Sequence, residues 1–185
     1  MLVETCIRDP SLIDPLNKIG YTKFIVEFDP VIEKVEVRLR RRLTFRGSLE
    51  SKRLLQRDDV INFLKPLERA QLIKALNDKK VHGISIDKNN FHLLKKNLLN
   101  LVNIKEKYIE INLNNSTSQV IRRAIEWGHK GTKIVFSSCA SKISEIWPPL
   151  SLFNYLVLHG ASIPDIITWI NTYPLELFEI VSDYS

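Results

Sequence analysis

Cysteine is scarce in this sequence: Cys6 and Cys139 are the only two among 185 residues. Two thiols cannot make a disulfide framework, and they fit a reducing compartment, so the expected location is the cytoplasm. Six glycines and eight prolines exclude collagen-like repeats and disorder driven by those residues. The opening MLVETCIRDP has Glu4 early and no apolar core, so no signal peptide is expected. No GxxxxGK[ST] phosphate loop and no GxGxxG occurs. The four histidines stand alone, with no HxH, HExxH or CxxC spacing, so no metal centre is expected. The 19 residues 146–164 lack Asp, Glu, Lys and Arg, close to the length of a membrane span. Three prolines, Asn154, His159 and Gly160 interrupt them, which predicts a buried helix hairpin and no membrane association.

What is present is ordinary globular material: 44% hydrophobic and 26% charged residues. The length suits one domain over residues 1–185. The formal charge is +6, unevenly spread. Residues 34–57 carry nine Lys or Arg against Glu36 and Glu50, a balance of +7. Residues 79–107 carry seven Lys against Asp87 and Glu106, a balance of +5. Residues 143–185 carry five acids and no Lys or Arg. A localised basic field attracts polyanions, nucleic acid being the commonest; a solvated lysine-rich surface gives the same count.

Short β-branched runs alternate with amphipathic stretches. Strands are expected over residues 2–6, 23–28, 35–46, 60–64, 81–86, 108–113 and 133–137. Helices are expected over 10–19, 48–56, 67–76, 89–102 and 116–127, then over 150–159, 164–170 and 174–181. Strands separated by helices favour parallel pairing through right-handed crossovers. The pattern fits a stripped-down α/β barrel or a doubly wound sheet and does not choose between them.

The run VEVRLRRRLTFR, residues 35–46, puts an apolar set (Val35, Val37, Leu39, Leu43, Phe45) out of phase with Arg38, Arg40, Arg42 and Arg46, while Arg41 breaks the phase. Residues two apart on a strand stand roughly 7 Å apart on one face, which lets successive guanidiniums reach successive phosphates. A row of arginines is unexpected on a buried strand, so the run is expected at a sheet edge or rim. Charge that guards an exposed edge against pairing is the other reading, though such edges favour lysine. The RNA-binding set expected from the sequence is Arg38, Arg40, Arg41, Arg42 and Arg46, then Arg53, Arg57, Arg122 and Arg123. Ser137 and Ser138 join it because they follow a strand, where barrel sites gather.

Three stretches carry a family resemblance: LVETCIRD followed by GYTKFIVEF; VINFLKPLERAQLIKAL followed by KVHGISID; and KIVFSSCAS leading to WPPLSLFNYLVLHGASIPDIITWINTYPLELFE. Together they resemble, in order and over nearly the whole chain, the protein component 3 family of archaeal and eukaryotic ribonuclease P. The resemblance implies a compact TIM-like barrel of about seven parallel strands with outer helices and C-terminal helical segments. It implies a non-catalytic subunit of the ribonucleoprotein that cleaves precursor tRNA to make mature 5′ ends. Partners would be the catalytic RNA, protein component 2 and other protein subunits, with precursor tRNA met indirectly. This chain would bind no cofactor, the Mg²⁺ ions residing on the RNA. The chain is shorter than typical members and has Cys139 where a small Gly is common.

Two rivals stand beside that reading. One is a small metal-dependent phosphoesterase barrel using Glu4, Asp9, Glu27 and His82. The other is an assembly module that binds proteins only. The acidic last quarter holds seven of the sixteen aromatics, Trp147, Phe153, Tyr155, Trp169, Tyr173, Phe178 and Tyr184, and is expected to serve packing and protein partners.

Overall fold

The computed structural model describes residues 1–27, 39–47 and 60–180. Arg38, Arg53, Arg57, the first four residues of the 35–46 run and the helix expected at 48–56 lie outside the described residues.

Among the described residues there are seven strands: β1 (Leu2–Ile7), β2 (Tyr21–Glu27), β3 (Leu39–Arg46), β4 (Val60–Lys65), β5 (Gly83–Ile86), β6 (Tyr108–Asn112) and β7 (Lys133–Ser137). They form one sheet in sequence order, and every neighbouring pair is parallel. Ile7 bridges Ala140 in parallel, and the Arg8 N–H donates to the Ala140 carbonyl at 2.9 Å. These contacts bring the end of β1 to the chain just beyond β7. The sheet is thereby curled almost to closure, and the choice left open by the sequence is settled as a TIM-like barrel.

Seven helices accompany the sheet: α1 (Ile13–Lys18), α2 (Arg69–Asn77), α3 (Lys96–Ile104), α4 (Ser118–Gly128), α5 (Pro149–Leu158), α6 (Ile163–Ile167) and α7 (Tyr173–Glu179), counted over the described residues. Helix α2 starts after the expected position because Glu68 is extended at φ −144° and acts as its N-cap. Gln71 Oε1 accepts from the backbone N–H groups of Leu67 and Glu68 at 2.8 and 3.3 Å, satisfying donors that the first turn leaves open.

The single helix expected over 89–102 is corrected to a short 3-10 turn (Phe91–Leu93) and then α3. Side chains compete with the helix here. Asn90 Nδ2 donates to the Pro66 and Ser85 carbonyls, and Asn90 Oδ1 accepts from the Asp87 N–H. Helices α6 and α7 are joined by a π-helical turn, Thr168–Thr172. Pro174 lacks the N–H that a regular turn would use at that point, and the widened turn accommodates it.

Alternation along each strand separates two buried layers. The outward set (Leu64, Ile84, Ile86, Ile109, Ile111, Ile134, Phe136) packs under the helices, with Val120, Ile121, Ala124 and Ile125 of α4 covering it. The inward set (Val3, Ile25, Ile61, Phe63, Tyr108, Val135) fills the barrel toward the strands' N-terminal ends, and Leu177 and Phe178 of α7 close that end. Burying each such apolar side chain stabilises the fold by about 1.5–3 kcal/mol. Gly128 is the last residue of α4, and the Trp169 ring rests on it: a Cβ there would lie 2.2 Å from Trp169 Cζ2. Among the described residues no helix is long and apolar enough to cross a membrane. The 146–164 stretch is α5, a turn at Gly160 and the start of α6.

Candidate functional site

In a parallel barrel, chemistry gathers at the C-terminal ends of the strands. Inward-facing residues there are polar. Arg42 projects from β3 into the lumen and is fully buried. Its Nη1 donates to the Thr5 carbonyl at 2.9 Å and its Nη2 to Thr44 Oγ1 at 2.9 Å. Both nitrogens also bond Glu110 of β6, Nη1 to Oε1 and Nη2 to Oε2, the latter at 2.8 Å. Ser137 Oγ donates to Glu110 Oε1 at 2.9 Å, and the Phe63 ring lies 4.4 Å under the guanidinium. A bidentate pair with added hydrogen bonds is the arrangement that offsets the cost of burying two charges.

Glu4 is also buried. Its Oε1 accepts from the N–H of Cys6 at 3.1 Å and of Ser138 at 3.3 Å, and its Oε2 accepts from Ser138 Oγ at 3.0 Å. Burial pushes its carboxyl up to about 7, against the opposing pull of those hydrogen bonds.

Two ion pairs join neighbouring strand ends at the mouth above. Arg8 Nε donates to Glu27 Oε2 at 2.7 Å. Lys65 Nζ bonds Asp87 Oδ2, the Asn115 amide bonds the same oxygen, and the Asn89 N–H donates to Oδ1 at 2.8 Å. Burial raises Asp87, but these donors outweigh it and hold the carboxyl below its ordinary range.

One trio has metal-ligand chemistry: Cys6 Sγ, Cys139 Sγ and a Glu110 oxygen lie within 4.8 Å of one another. The trio does not fit a cation. Both Glu110 oxygens are held by Arg42, whose fixed positive charge stands beside the sulfurs, and burial first, then the Cys139 hydrogen bond, pushes the Cys6 thiol well above its ordinary range. Cys139 has φ 45°, in the left-handed region that favours glycine, at the position where the resembled family commonly has Gly.

The expected site residues fall in different places. Arg40, Arg42 and Arg46 share a face, as the alternation implies, but that face lines the lumen, and β3 lies between β2 and β4, not at an edge. The expectation of a surface ribbon is therefore corrected. Arg42 is spent on Glu110. Arg40 is half-buried under α7, with Nε 3.4 Å from the Phe178 carbonyl and its guanidinium 4.8 Å from the Phe178 ring. Ser137 and Ser138 are corrected too: both are fully buried and serve Glu110 and Glu4. Arg46, Arg122 and Arg123 are exposed, and Arg41 is partly exposed.

The phosphoesterase set does not converge. Asp9 accepts from the Ser11 N–H and caps a turn, and Glu27 is taken by Arg8. His82 precedes β5 at the opposite end of the barrel, where its Nδ1 accepts from the Asn62 N–H at 2.9 Å. Glu110 was missed from sequence. Its signal was an acid flanked by Ile109 and Ile111 in YIEIN, where the neighbours pack outward and the acid must face inward.

No family model matches the chain, and no curated protein matches it. The fold is similar to a solved one. A chain of the cryo-EM structure of archaeal ribonuclease P with mature tRNA superposes with a TM-score of 0.73. The match covers 97% of this chain and 89% of that one at 13% sequence identity. At that identity the likeness is one of fold alone: this chain shares its barrel with a chain of that complex.

Proposed function

We propose that this chain is a protein subunit of a ribonuclease P, in the role of protein component 3, binding and supporting the catalytic RNA that cleaves precursor tRNA. The observation that carries the reading is the shared barrel, which spans 97% of this chain and matches a protein from an archaeal ribonuclease P. Its chemistry is electrostatic. Exposed Arg46, Arg122 and Arg123, the partly exposed Arg41, and the charge contributed by Arg38, Arg53 and Arg57, offset phosphate repulsion so that the RNA packs compactly. RNA helices expose phosphates and 2′-hydroxyls more readily than base edges, so shape is what such a surface recognises. The filled lumen supports a binding role: Arg42 neutralises Glu110, and Glu4 is occupied by Ser138 and Cys6. Hydrolysis then rests on Mg²⁺ held by the RNA. Component 2 and the other protein subunits are the protein partners, precursor tRNA is met through the RNA, and the setting is cytoplasmic.

The test is a salt titration of binding to a ribonuclease P RNA transcript. A subunit that meets several phosphates loses about a thousandfold or more in affinity between roughly 50 and 200 mM salt. Absence of binding, or affinity indifferent to salt, contradicts the proposal.

A further inference from the structure

Helices α3 and α4 follow successive parallel strands, so they lie side by side and run in the same direction. A cleft of about 610 Å³ opens between them. Its rim carries Lys95 and Lys96 at the start of α3, Arg123 on α4, Lys130 just beyond α4, and His92. Among the described residues no acidic side chain lines it. Lys95, Lys96, Arg123 and Lys130 are all exposed. Arg123 pairs with Glu126 at 2.8 Å, but both side chains are more than half exposed, and such a pair is weak and readily exchanged for a phosphate. Half-buried Phe91 also lines the cleft and meets the His92 ring edge-on at 6.4 Å.

We infer that this cleft is a docking site for an unpaired RNA segment, its phosphates on Lys95, Lys96, Arg123 and Lys130 and one base stacked on Phe91. The inference rests on the reading of the chain as an RNA-binding subunit. Two observations choose the occupant. Lys95 and Lys96 stand at the start of α3, and Asn103 near its end donates to the Lys130 carbonyl at 3.4 Å, so the cations are spread along a nine-residue helix of about 14 Å, which suits a linear polyanion. The volume is that of a pocket for a small ligand, large enough for a nucleotide but too small for a duplex, and the aromatic lining offers a base the face that an acidic peptide would not use.

The experiment is fluorescence anisotropy with three labelled probes: an unstructured RNA of about ten nucleotides, a fully paired RNA of similar charge, and an Asp/Glu-rich peptide. Four proteins are compared with the unaltered chain. The cleft variant combines Lys95→Gln, Lys96→Gln, Arg123→Gln and Lys130→Gln. A control removes the same charge elsewhere, at exposed Lys18, Lys74, Lys79 and Lys105, each replaced by Gln. The others are Phe91→Ala and Phe91→Tyr. The cleft variant is expected to lose at least about tenfold in affinity for the unpaired RNA and about three units of log–log salt slope, since each single-strand phosphate contact contributes roughly 0.7. The control is expected to lose only a few-fold. Phe91→Ala should lose about tenfold with the slope unchanged, and Phe91→Tyr, which keeps the ring, should retain affinity.

Equal losses in the cleft and control variants overturn the site. Tighter binding of the duplex or of the peptide, with the same dependence on the cleft, overturns the occupant. Binding of RNA by the unaltered chain without any effect of the cleft variant removes the cleft assignment alone. No RNA binding at all removes both it and the subunit reading.

Discussion

Arg42 and Glu110 face each other across the barrel lumen from the third and sixth strands, joined through both guanidinium Nη atoms and both carboxylate oxygens. Each is fully shielded from water. The pair turns the most arginine-rich strand of the chain inward and fixes two strands of the barrel against one another. It occupies both oxygens of Glu110, while Glu4 is held separately by Ser138 and Cys6.

Breaking this pair from one side is expected to be costly. Glu110→Gln leaves the Arg42 charge buried and uncompensated, and should destabilise the protein by about 3–5 kcal/mol in denaturant unfolding. Replacing both partners, Arg42→Met with Glu110→Leu, should recover most of that loss. Arg42→Met should leave the salt slope of RNA binding unchanged under conditions where it is folded. A fall in that slope would place Arg42 on the RNA surface after all.

Stability should depend on pH through two groups of opposite sign. Glu4 is raised from 4.5 to about 7 by burial, so between those values the folded state holds the extra proton. Its contribution is fully present below pH 4.5 and is lost as pH rises through about 7. The cost on the alkaline side is on the order of 3 kcal/mol. His82 is lowered from 6.5 to about 4 by burial and by the charges of Lys107 and Lys80, so the unfolded chain holds the extra proton. Its contribution is present above pH 6.5 and is lost as pH falls toward 4. The two terms oppose each other between pH 4.5 and 6.5. Glu4→Gln should leave a curve that rises with pH over that window and flattens above it, read by thermal melting across buffers. A curve still falling toward pH 7 in that variant would mean that Glu4 is not the group responsible.

Gly128→Ala should lower stability by about 1–3 kcal/mol, the usual cost of overfilling a packed core. The added methyl meets the Trp169 ring, which is itself 2% exposed and has no room to retreat. Combining Gly128→Ala with Trp169→Leu should relieve the clash in melting experiments. A single variant as stable as the unaltered chain would show that the two helices are not packed this tightly.

Six of the seven strands were legible as short β-branched runs, and the third by its alternation. Over its described residues the alternation in VEVRLRRRLTFR also gave the right partition: Arg40, Arg42 and Arg46 do share a face. It could not say which face points outward. In a barrel both faces of a strand are covered, one by helices and one by the lumen, so the rule that charge marks the wet side fails where an acid on another strand meets it. Glu110, which lies 68 residues from Arg42, carries that information, and no local period links them. The same blindness applies to the break before α3, where Asn90 reaches back to Pro66 and Ser85. Exposure of Arg122 and Arg123 was readable, since α4 is a clean amphipathic helix.

The central claim, a ribonuclease P subunit whose role is to support RNA, is tested most directly by reconstituted cleavage of precursor tRNA. The catalytic RNA is assayed at limiting Mg²⁺ with component 2 alone, with component 2 and this chain, and this chain is assayed without RNA. The account predicts that adding the chain raises the cleavage rate at the mature 5′ end, and that the chain without RNA cleaves nothing. Cleavage unaffected by the chain, or hydrolysis by the chain alone that Glu4→Gln abolishes, would contradict it.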